Sequence, residues 1–373
     1  MYFIVGANVE DSLTTGMGRQ MHGLGDALAS RGHRVDYLFS GGMGLRLGRK
    51  LARFEAPLRT AIAIDKLAKR STEVPIAILH EPIAWPTALR LRRRVRTLAM
   101  VHACETRCWR VQVETRNATG EQISPSSRVV WPLTELTQAF ASLKTSAGVL
   151  CLSTQDREYM VDSLAIPAER IARIDNGLEP RFIGVPLTEK PPERDLLFLG
   201  SWLPRKGTKI LIAALERLSA LGVSAKLTLA GTGPTESIIR DALPAAWRET
   251  TEIVPHVRPE GLIDVYRRHR ILLLPSVAEG IPLVVLEAMA CGLCPIVTAV
   301  GGSPDVISSG TDGILVPMLD SEALAQATIR ALREPEETRR MGKNAHAKMQ
   351  AYSWSRVAQQ LEHFLDVRFG AAR

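Results

Sequence analysis

Residues 271–292 read Ile271-Leu272-Leu273-Leu274-Pro275-Ser276-Val277-Ala278-Glu279-Gly280-Ile281-Pro282-Leu283-Val284-Val285-Leu286-Glu287-Ala288-Met289-Ala290-Cys291-Gly292. The apolar run Ile271 to Leu274, closed by turn residues, reads as a buried strand, and the stretch from Pro282 onward reads as a helix. Proline at the first helical position is preorganised and gives up no hydrogen bond, since that N–H has no partner inside the helix. The spacing therefore opens the helix at Pro282 and leaves its free N–H groups and positive dipole end to an anion. Gly280 carries no side chain to keep a phosphate from the backbone. Glu279 stands just before the helix and Glu287 in its second turn, and a carboxylate can accept hydrogen bonds from both hydroxyls of a vicinal diol. Strand, anion-binding turn and helix place the chain in the α/β class. An anion site framed by two diol readers implies a sugar nucleotide.

The same alternation runs outward in both directions. In the C-terminal half, Asp195 to Leu199, Lys226 to Leu229, Glu252 to Val254, Ile271 to Leu274, Pro295 to Thr298 and Ile314 to Val316 read as strands, with terminal helices at Glu336 to Tyr352 and Ser355 to Phe369. In the N-terminal half the strands are Tyr2 to Val5, Arg34 to Phe39, Val74 to Leu79, Thr97 to His102, Gly148 to Ser153 and Ile171 to Ile174, the pattern of parallel βαβ units. The proline-rich stretch Glu179 to Pro192 reads as an interdomain linker. The first βα turn carries Gly6, then Thr14-Thr15-Gly16-Met17-Gly18 ahead of a helix from Gln20 to Arg31. This is not the dinucleotide-binding glycine spacing, but a long glycine-bearing loop before a helix suits an anion or an acceptor hydroxyl, which makes Gly16 a candidate contact.

A length of 373 residues is enough for two domains, each with its own core. No apolar run approaches the ~20 residues of a membrane span. The start Met1-Tyr2-Phe3-Ile4-Val5-Gly6 lacks the basic opening of a signal peptide and reads as the first buried strand, so a cytoplasmic protein is expected, soluble or peripheral on the inner face of the membrane. Cys291 and Cys294 have zinc-like spacing, but they end a helix and open a strand, where small apolar residues are wanted. An odd count of five cysteines fits reduced thiols. The net charge of +8 is one-sided: residues 1–110 hold 18 Lys/Arg against 9 Asp/Glu, leaving 29 against 30 for the remainder. Such a basic field points to an anionic partner, a phospholipid or a lipid-linked or glycan acceptor. With 5% aromatic residues and no recognisable binding module, nucleic acid is not expected.

The Glu279-Gly280-x-Pro282-…-Glu287-Ala288-Met289-Ala290-x-Gly292 signature resembles that of the retaining glycosyltransferases of family 4, with its two glutamates eight positions apart. Phe198-Leu199-Gly200, Lys206-Gly207 and Ala230-Gly231-Thr232-Gly233 continue the pattern upstream, and Pro295-Ile296-Val297, Gly301-Gly302, Asp305-Val306-Ile307, Asp312-Gly313 and Asp320 continue it downstream. Asn176-Gly177 with Phe182 is similar to the family's Asn-Gly…Phe run. The resemblance is close over the C-terminal half and weaker over the N-terminal half. It implies the GT-B architecture, two Rossmann-like doubly wound domains facing across a cleft. Residues 1–183 would be the acceptor domain, 184–352 the nucleotide-sugar domain, and 353–373 a last helix crossing back to the first. It also implies that Lys206 holds the donor's diphosphate, Glu287 the ribose and Glu279 the transferred sugar. The backbone of Gly280-Ile281-Pro282-Leu283 would line the donor site, His256 and Val257 would lie against the nucleobase, and His102 would be the active-site histidine. This chain departs from the family at Ser201, where an arginine is usual, and at His256, where glycine is common.

Ligands of open α/β sheets bind beyond the carboxyl ends of the strands, so the loops at 200–207, 255–257 and 278–282 should converge. Arg205 and Lys206 are the local positive charges for a diphosphate. His80 also ends a strand and competes with His102. A glycosidase needs two carboxylates about the scissile bond, whereas these glutamates are assigned to binding. No Asp-x-Asp motif occurs, so neither a metal ion nor another cofactor is called for. The expected reaction moves a hexosyl unit from a nucleoside diphosphate sugar to an acceptor hydroxyl, with retention, in bacterial surface polysaccharide, lipopolysaccharide or glycolipid synthesis. The alternatives are a sugar-nucleotide epimerase of the same architecture and a noncatalytic sugar-nucleotide-binding subunit, the latter favoured by Ser201. Finally, Leu47, Leu51, Phe54, Leu58 and Ile62 recur every three or four residues among Arg46, Arg49, Lys50, Arg53 and Arg59. That is the pattern of a basic amphipathic helix on anionic lipid, to which Arg90 to Arg96 would add and which Pro57 would interrupt.

Overall fold

A computed structural model describes residues 1–11, 15–45, 52–118, 123–188, 192–233 and 236–370. They form two compact units, residues 1–177 with 354–373, and residues 178–353. The first unit holds strands β1 (Tyr2–Gly6), β2 (Arg34–Leu38), β3 (Ile76–His80), β4 (Arg96–Val101), β5 (Gly148–Cys151) and β6 (Ile171–Arg173). They make one parallel sheet in the order β2-β1-β3-β4-β5-β6. The second unit holds β7 (Leu196–Leu199), β8 (Leu227–Ala230), β9 (Glu252–Val254), β10 (Ile271–Leu274), β11 (Cys294–Thr298) and β12 (Ile314–Val316), again all parallel, in the order β12-β11-β10-β7-β8-β9. Each unit is thus a doubly wound α/β layer structure. The central strands are wholly buried, β1, β7, β8, β10 and β11 along their full length, as strands covered by helices on both faces must be.

The sequence order of the second sheet reverses between β7 and β10. Loops leaving two such neighbours turn to opposite sides and open a crevice at their carboxyl ends. The loops at 200–207 and 275–282 leave these two strands. Strand order therefore fixes where the chemistry can sit in this unit.

The last helix, Trp354–Phe369, belongs to the first unit. Val357, Leu361 and Leu365 are its buried face, and the Trp354 ring seats it. A Cβ on Gly23 would lie 2.2 Å from that ring and one on Gly177 2.4 Å from it, so both positions exclude a side chain. Arg31 donates twice to the Glu362 carboxylate (2.8 and 2.6 Å), and His33 shares it at 2.7 Å.

Three local expectations need correction. Pro282 is the N-cap, with extended backbone (φ −71°, ψ 117°), and the helix runs Leu283–Ala290. The first helix of the chain begins at Gly16, not at Gln20, because Thr15 caps it by accepting from Gly18 N–H at 3.0 Å. Pro57 does not interrupt its helix: Ala52–Ala68 is continuous with Pro57 inside and buried. The buried face there is made of small residues and Ile64, while Phe54, Leu58 and Ile62 face outward at 46%, 38% and 46% exposure. Of the amphipathic stripe, Arg46, Leu47, Arg49, Lys50 and Leu51 lie outside the described residues, as does Thr14 of the first loop.

Candidate active site

In the second unit, the chain leaves β7 at Gly200 and makes a tight turn Pro204–Lys206 before the helix Thr208–Ala220. Gly207 joins turn to helix at φ +72°, and a Cβ there would stand 1.8 Å from the Pro275 carbonyl oxygen. Only glycine lets this turn press against the end of β10. Val277 N–H donates to the Arg205 carbonyl at 2.9 Å and locks the two loops together. The Lys206 side chain is thereby delivered to Glu279: its Nζ donates to Oε1 at 2.5 Å, and Ser276 Oγ donates to the same oxygen at 2.8 Å. Arg205, by contrast, is exposed, as is Ser201.

The Glu279–Gly280–Ile281 backbone is held from the far side by two glycines. Gly301 has φ +58°, and a Cβ there would lie 1.9 Å from the Glu279 carbonyl. Gly302 N–H donates to the Gly280 carbonyl at 2.7 Å, and a Cβ on it would meet Ile281 at 2.4 Å. The pair therefore shapes the glutamate's own loop. Beyond it, Glu279 and Ile281 are buried, and the signature helix starts at Leu283. Glu287, in that helix, is 2% exposed and accepts from Tyr266 Oη at 2.7 Å.

The third loop follows β9. His256 is exposed and Val257 half-buried. Gly231 (φ +67°) and Gly233 (φ +91°) turn the neighbouring loop, and Gly233 N–H donates to the Pro255 carbonyl at 3.0 Å. Of the candidates in this unit, the structure thus bonds Lys206 directly to Glu279, while the Arg205 carbonyl holds Val277 and the Gly280 carbonyl holds Gly302, each through its N–H. Ile281 to Leu283 follow in the same loop, Glu287 sits on the helix they open, and His256 and Val257 lie on a separate loop.

The first unit carries His102 and Gly16. His102 follows β4 and His80 ends β3; their rings lie 5.2 Å apart, so the two histidines are neighbours rather than alternatives. Burial pushes the His80 imidazole down to about 4. Burial, helped by His80, also pushes His102 well below the usual range, and its Nε2 is buried without a partner. Both rings are neutral near pH 7, so His102 is suited to exchanging a hydrogen bond with a hydroxyl rather than supplying a cation. Next to them, Glu81 is 1% exposed with Oε1 unpaired, and burial drives its carboxyl well above the ordinary value. Arg107 donates to the buried Asp156 at 2.6 Å, and Cys104 N–H donates to the same oxygen at 3.2 Å, which pins the loop after His102. Gly16 is exposed at the start of its helix. The cysteines are free thiols, and burial pushes Cys108, Cys291 and Cys294 up to about 12.

Sequence reasoning did not single out Ser276, Tyr266 or Glu81. Ser276 lies three residues before Glu279 on the exit of a strand, a position that could have been read. Tyr266 is 21 residues from Glu287, and no spacing rule joins them. Glu81 carries no signal beyond its place after a strand.

The description "Glycosyl transferases group 1" matches residues 184–348, and "Glycosyltransferase Family 4" matches residues 14–182. The chain is 32% identical over 243 residues to the D-inositol 3-phosphate glycosyltransferase of Corynebacterium efficiens, covering 59% of this chain and 56% of that one. It is 27% identical over 246 residues to the alpha-D-kanosaminyltransferase of Streptomyces kanamyceticus, covering 63% and 64%. The matched stretches thus span less than two thirds of these relatives. Among solved structures, a sucrose-phosphate synthase from Thermosynechococcus elongatus superposes with TM-score 0.79 at 20% identity over 100% of both chains. Anabaena HepE in complex with UDP gives 0.70 at 15% identity over 98% of this chain and 100% of its own. The architecture is that of GT-B enzymes, and the chain belongs to the family 4, group 1 glycosyltransferases.

Proposed function

We propose that the protein transfers a hexosyl unit from a nucleoside diphosphate sugar to an acceptor hydroxyl, with retention, in the synthesis of a bacterial surface polysaccharide, lipopolysaccharide or glycolipid. The observation that carries this reading is the convergence of Lys206 and Ser276 on Glu279 at the mouth of the signature helix. There a cation, a carboxylate and a helix N-terminus stand together at the switch point of a doubly wound sheet. Lys206, Arg205 and the helix N–H groups would neutralise the departing diphosphate, so transfer should persist in a chelator. Glu279 would hold hydroxyls of the moving sugar and Glu287 the ribose. The bond from the anomeric carbon to the diphosphate oxygen breaks, the acceptor oxygen bonds to that carbon on the same face, and the released diphosphate takes the acceptor's proton. His102, neutral and unpartnered at Nε2, would hydrogen-bond a hydroxyl of the sugar.

The second element of the proposal is docking of the first unit on anionic lipid to reach a lipid-linked acceptor. Phe54, Leu58 and Ile62 form an outward apolar row on the helix Ala52–Ala68. Arg53 of that helix pairs with Glu135 at 3.8 Å, beside Val129, Val130 and Leu133, which are 58%, 44% and 71% exposed. Arg94 pairs with Asp65 at the other end of the same helix, bringing the arginine-rich turn 90–94 alongside. Exposed apolar side chains among arginines are what an interfacial surface needs.

A panel of UDP-, GDP- and ADP-sugars, with and without candidate acceptors, tests the reaction. Nucleotide release that requires acceptor, with a retained anomer by NMR, supports transfer. An epimerised sugar nucleotide without acceptor, or binding without release, replaces it with the epimerase or the binding subunit. Loss of activity on chelation, restored by Mg²⁺ or Mn²⁺, refutes the account of the leaving group.

A further inference from the structure

Three buried side chains of the second unit follow one another behind the signature helix: Phe182, Tyr266 and Glu287. Tyr266 lies in the helix Leu262–Arg267 with 0% exposure, and its Oη donates to Glu287 Oε2 at 2.7 Å. The Phe182 ring, also 0% exposed, meets the Tyr266 ring edge-on at 6.2 Å and 72°. Phe182 closes the turn Pro180–Phe182, and Arg181 of that turn donates to the Pro259 carbonyl at 2.6 Å, just ahead of the tyrosine's helix. One turn therefore grips both the ring of Tyr266 and the start of the helix that carries it.

We infer that Tyr266 is a positioning residue for nucleotide recognition. Its hydroxyl fixes the plane of the Glu287 carboxylate, and Phe182 fixes the ring that carries the hydroxyl. This rests on the reading of Glu287 as the ribose contact. A glutamate side chain has three torsions, and ordering it on binding costs affinity. A short hydrogen bond to a charged acceptor from a buried ring packed edge-on against Phe182 removes that cost in advance. The phenol binds Oε2, and a carboxylate carries acceptor sites on both of its oxygens. The arrangement also assigns a task to the phenylalanine of the Asn-Gly…Phe run, which lies far from Glu287 in sequence.

The test compares binding of UDP, GDP and ADP, by calorimetry, with that of the 2′,3′-dideoxy counterpart of whichever binds. Wild type should prefer the ribonucleotide. Tyr266→Phe should lose about two- to tenfold in affinity for it, the scale of ordering one rotamer-rich side chain on binding. It should lose little for the dideoxy form, and kcat at saturating donor should hold while KM rises. Phe182→Leu should show the same signature more weakly, and it decides the matter if Tyr266→Phe fails to fold. Equal losses on both nucleotides mean that the tyrosine only supports the fold and overturn the inference. So does an unchanged preference in Tyr266→Phe while Glu287→Ala loses it. A Glu287→Ala variant that keeps the full ribose preference removes the ribose reading itself.

Discussion

Lys206 and Glu279 are bound to each other, Nζ to Oε1 at 2.5 Å, with Ser276 on the same oxygen. Their side chains are only 13% and 10% exposed, so neither is well hydrated and each supplies a counter-charge to the other. Removing one member of an enclosed pair strands the other. A donor whose diphosphate engages Lys206 and whose sugar engages Glu279 would exchange this bond for two others without leaving a charge unpaired. Lys206→Ala should therefore slow transfer by roughly 10- to 1000-fold, the scale of one transition-state charge contact, and lower the melting temperature. Glu279→Gln can still accept from Ser276 and should lose turnover while binding nucleoside diphosphate about as well as wild type. Steady-state kinetics beside calorimetry checks both, and normal turnover in Glu279→Gln would remove its role toward the sugar.

The Gly301–Gly302 turn supports the same loop. Alanine at 301 would combine a left-handed backbone with a contact of 1.9 Å to the Glu279 carbonyl, so the loop that presents Glu279 must move. Gly310 also has positive φ (+80°) but open space around it, and alanine there should cost only the ~1–2 kcal/mol of the backbone conformation. Gly301→Ala should lower transfer at least about tenfold, in keeping with the sensitivity of catalysis to small misplacements, while Gly310→Ala leaves kcat unchanged. Equal activity in the two variants would refute the link.

The strands were legible because a parallel strand covered on both faces is a short continuous apolar run; Ile271 to Leu274 and Gly148 to Cys151 can be read directly from sequence. Boundaries set by a single cap were less so. Pro282 fits the first helical position by propensity, yet its observed ψ of 117° puts it outside the helix. Pro57 misleads for the opposite reason, since it sits in the second turn of a helix whose face there is buried against the unit's core. At the site, Lys206 and Glu279 could be named from their motifs, but their mutual bond could not, because it depends on Gly207 closing to the Pro275 carbonyl. Tyr266 stayed hidden for a similar reason: its bond to Glu287 forms only when the helices on either side of one strand pack together.

Buried titrating groups of the first unit give its stability a pH dependence with two opposed slopes. Burial drives the Glu81 carboxyl well above its ordinary value. Above about 4.5 the unfolded chain gains by ionising it while the folded one does not, so stability falls as pH rises from there towards the folded value. The His80 and His102 rings stay neutral in the fold, His80 down to about 4. The unfolded chain takes up protons near 6.5, so stability also falls as pH drops from about 6.5 to about 4. Glu81→Gln should raise the melting temperature at pH 7 by several degrees, and the gain should vanish below about pH 4.5. His80→Gln should flatten the decline between pH 6.5 and 4. Melting curves across pH 4–8 decide this; a Glu81→Gln gain that is the same at pH 4 and pH 7 would show that titration is not its cause.

The proposed docking on anionic lipid can be tested at Phe54, Leu133 and the arginines of the 90–94 turn. Phe54, Leu58, Ile62 and Leu133 present apolar side chains to solvent, and a soluble surface gains nothing from such a row. With each basic residue near anionic lipid worth about 1 kcal/mol, Arg53 and the arginines at 90–94 would supply attraction, and the apolar row would hold the unit once it arrived. Vesicles of phosphatidylglycerol with phosphatidylcholine should co-sediment the protein at low salt, and vesicles of phosphatidylcholine alone should not. Phe54→Ser with Leu133→Ser should release it even at low salt, because insertion is lost. Reversing Arg92 and Arg93 to glutamate should weaken binding at low salt and reduce its dependence on salt, because the screened electrostatic attraction is what is lost. Neither pair touches Lys206, Glu279 or Glu287, so transfer to a water-soluble acceptor analogue should be unchanged in both. Failure of the wild-type protein to bind phosphatidylglycerol vesicles at low salt ends the docking hypothesis. Binding that survives Phe54→Ser with Leu133→Ser shows that the apolar row is not what enters the lipid.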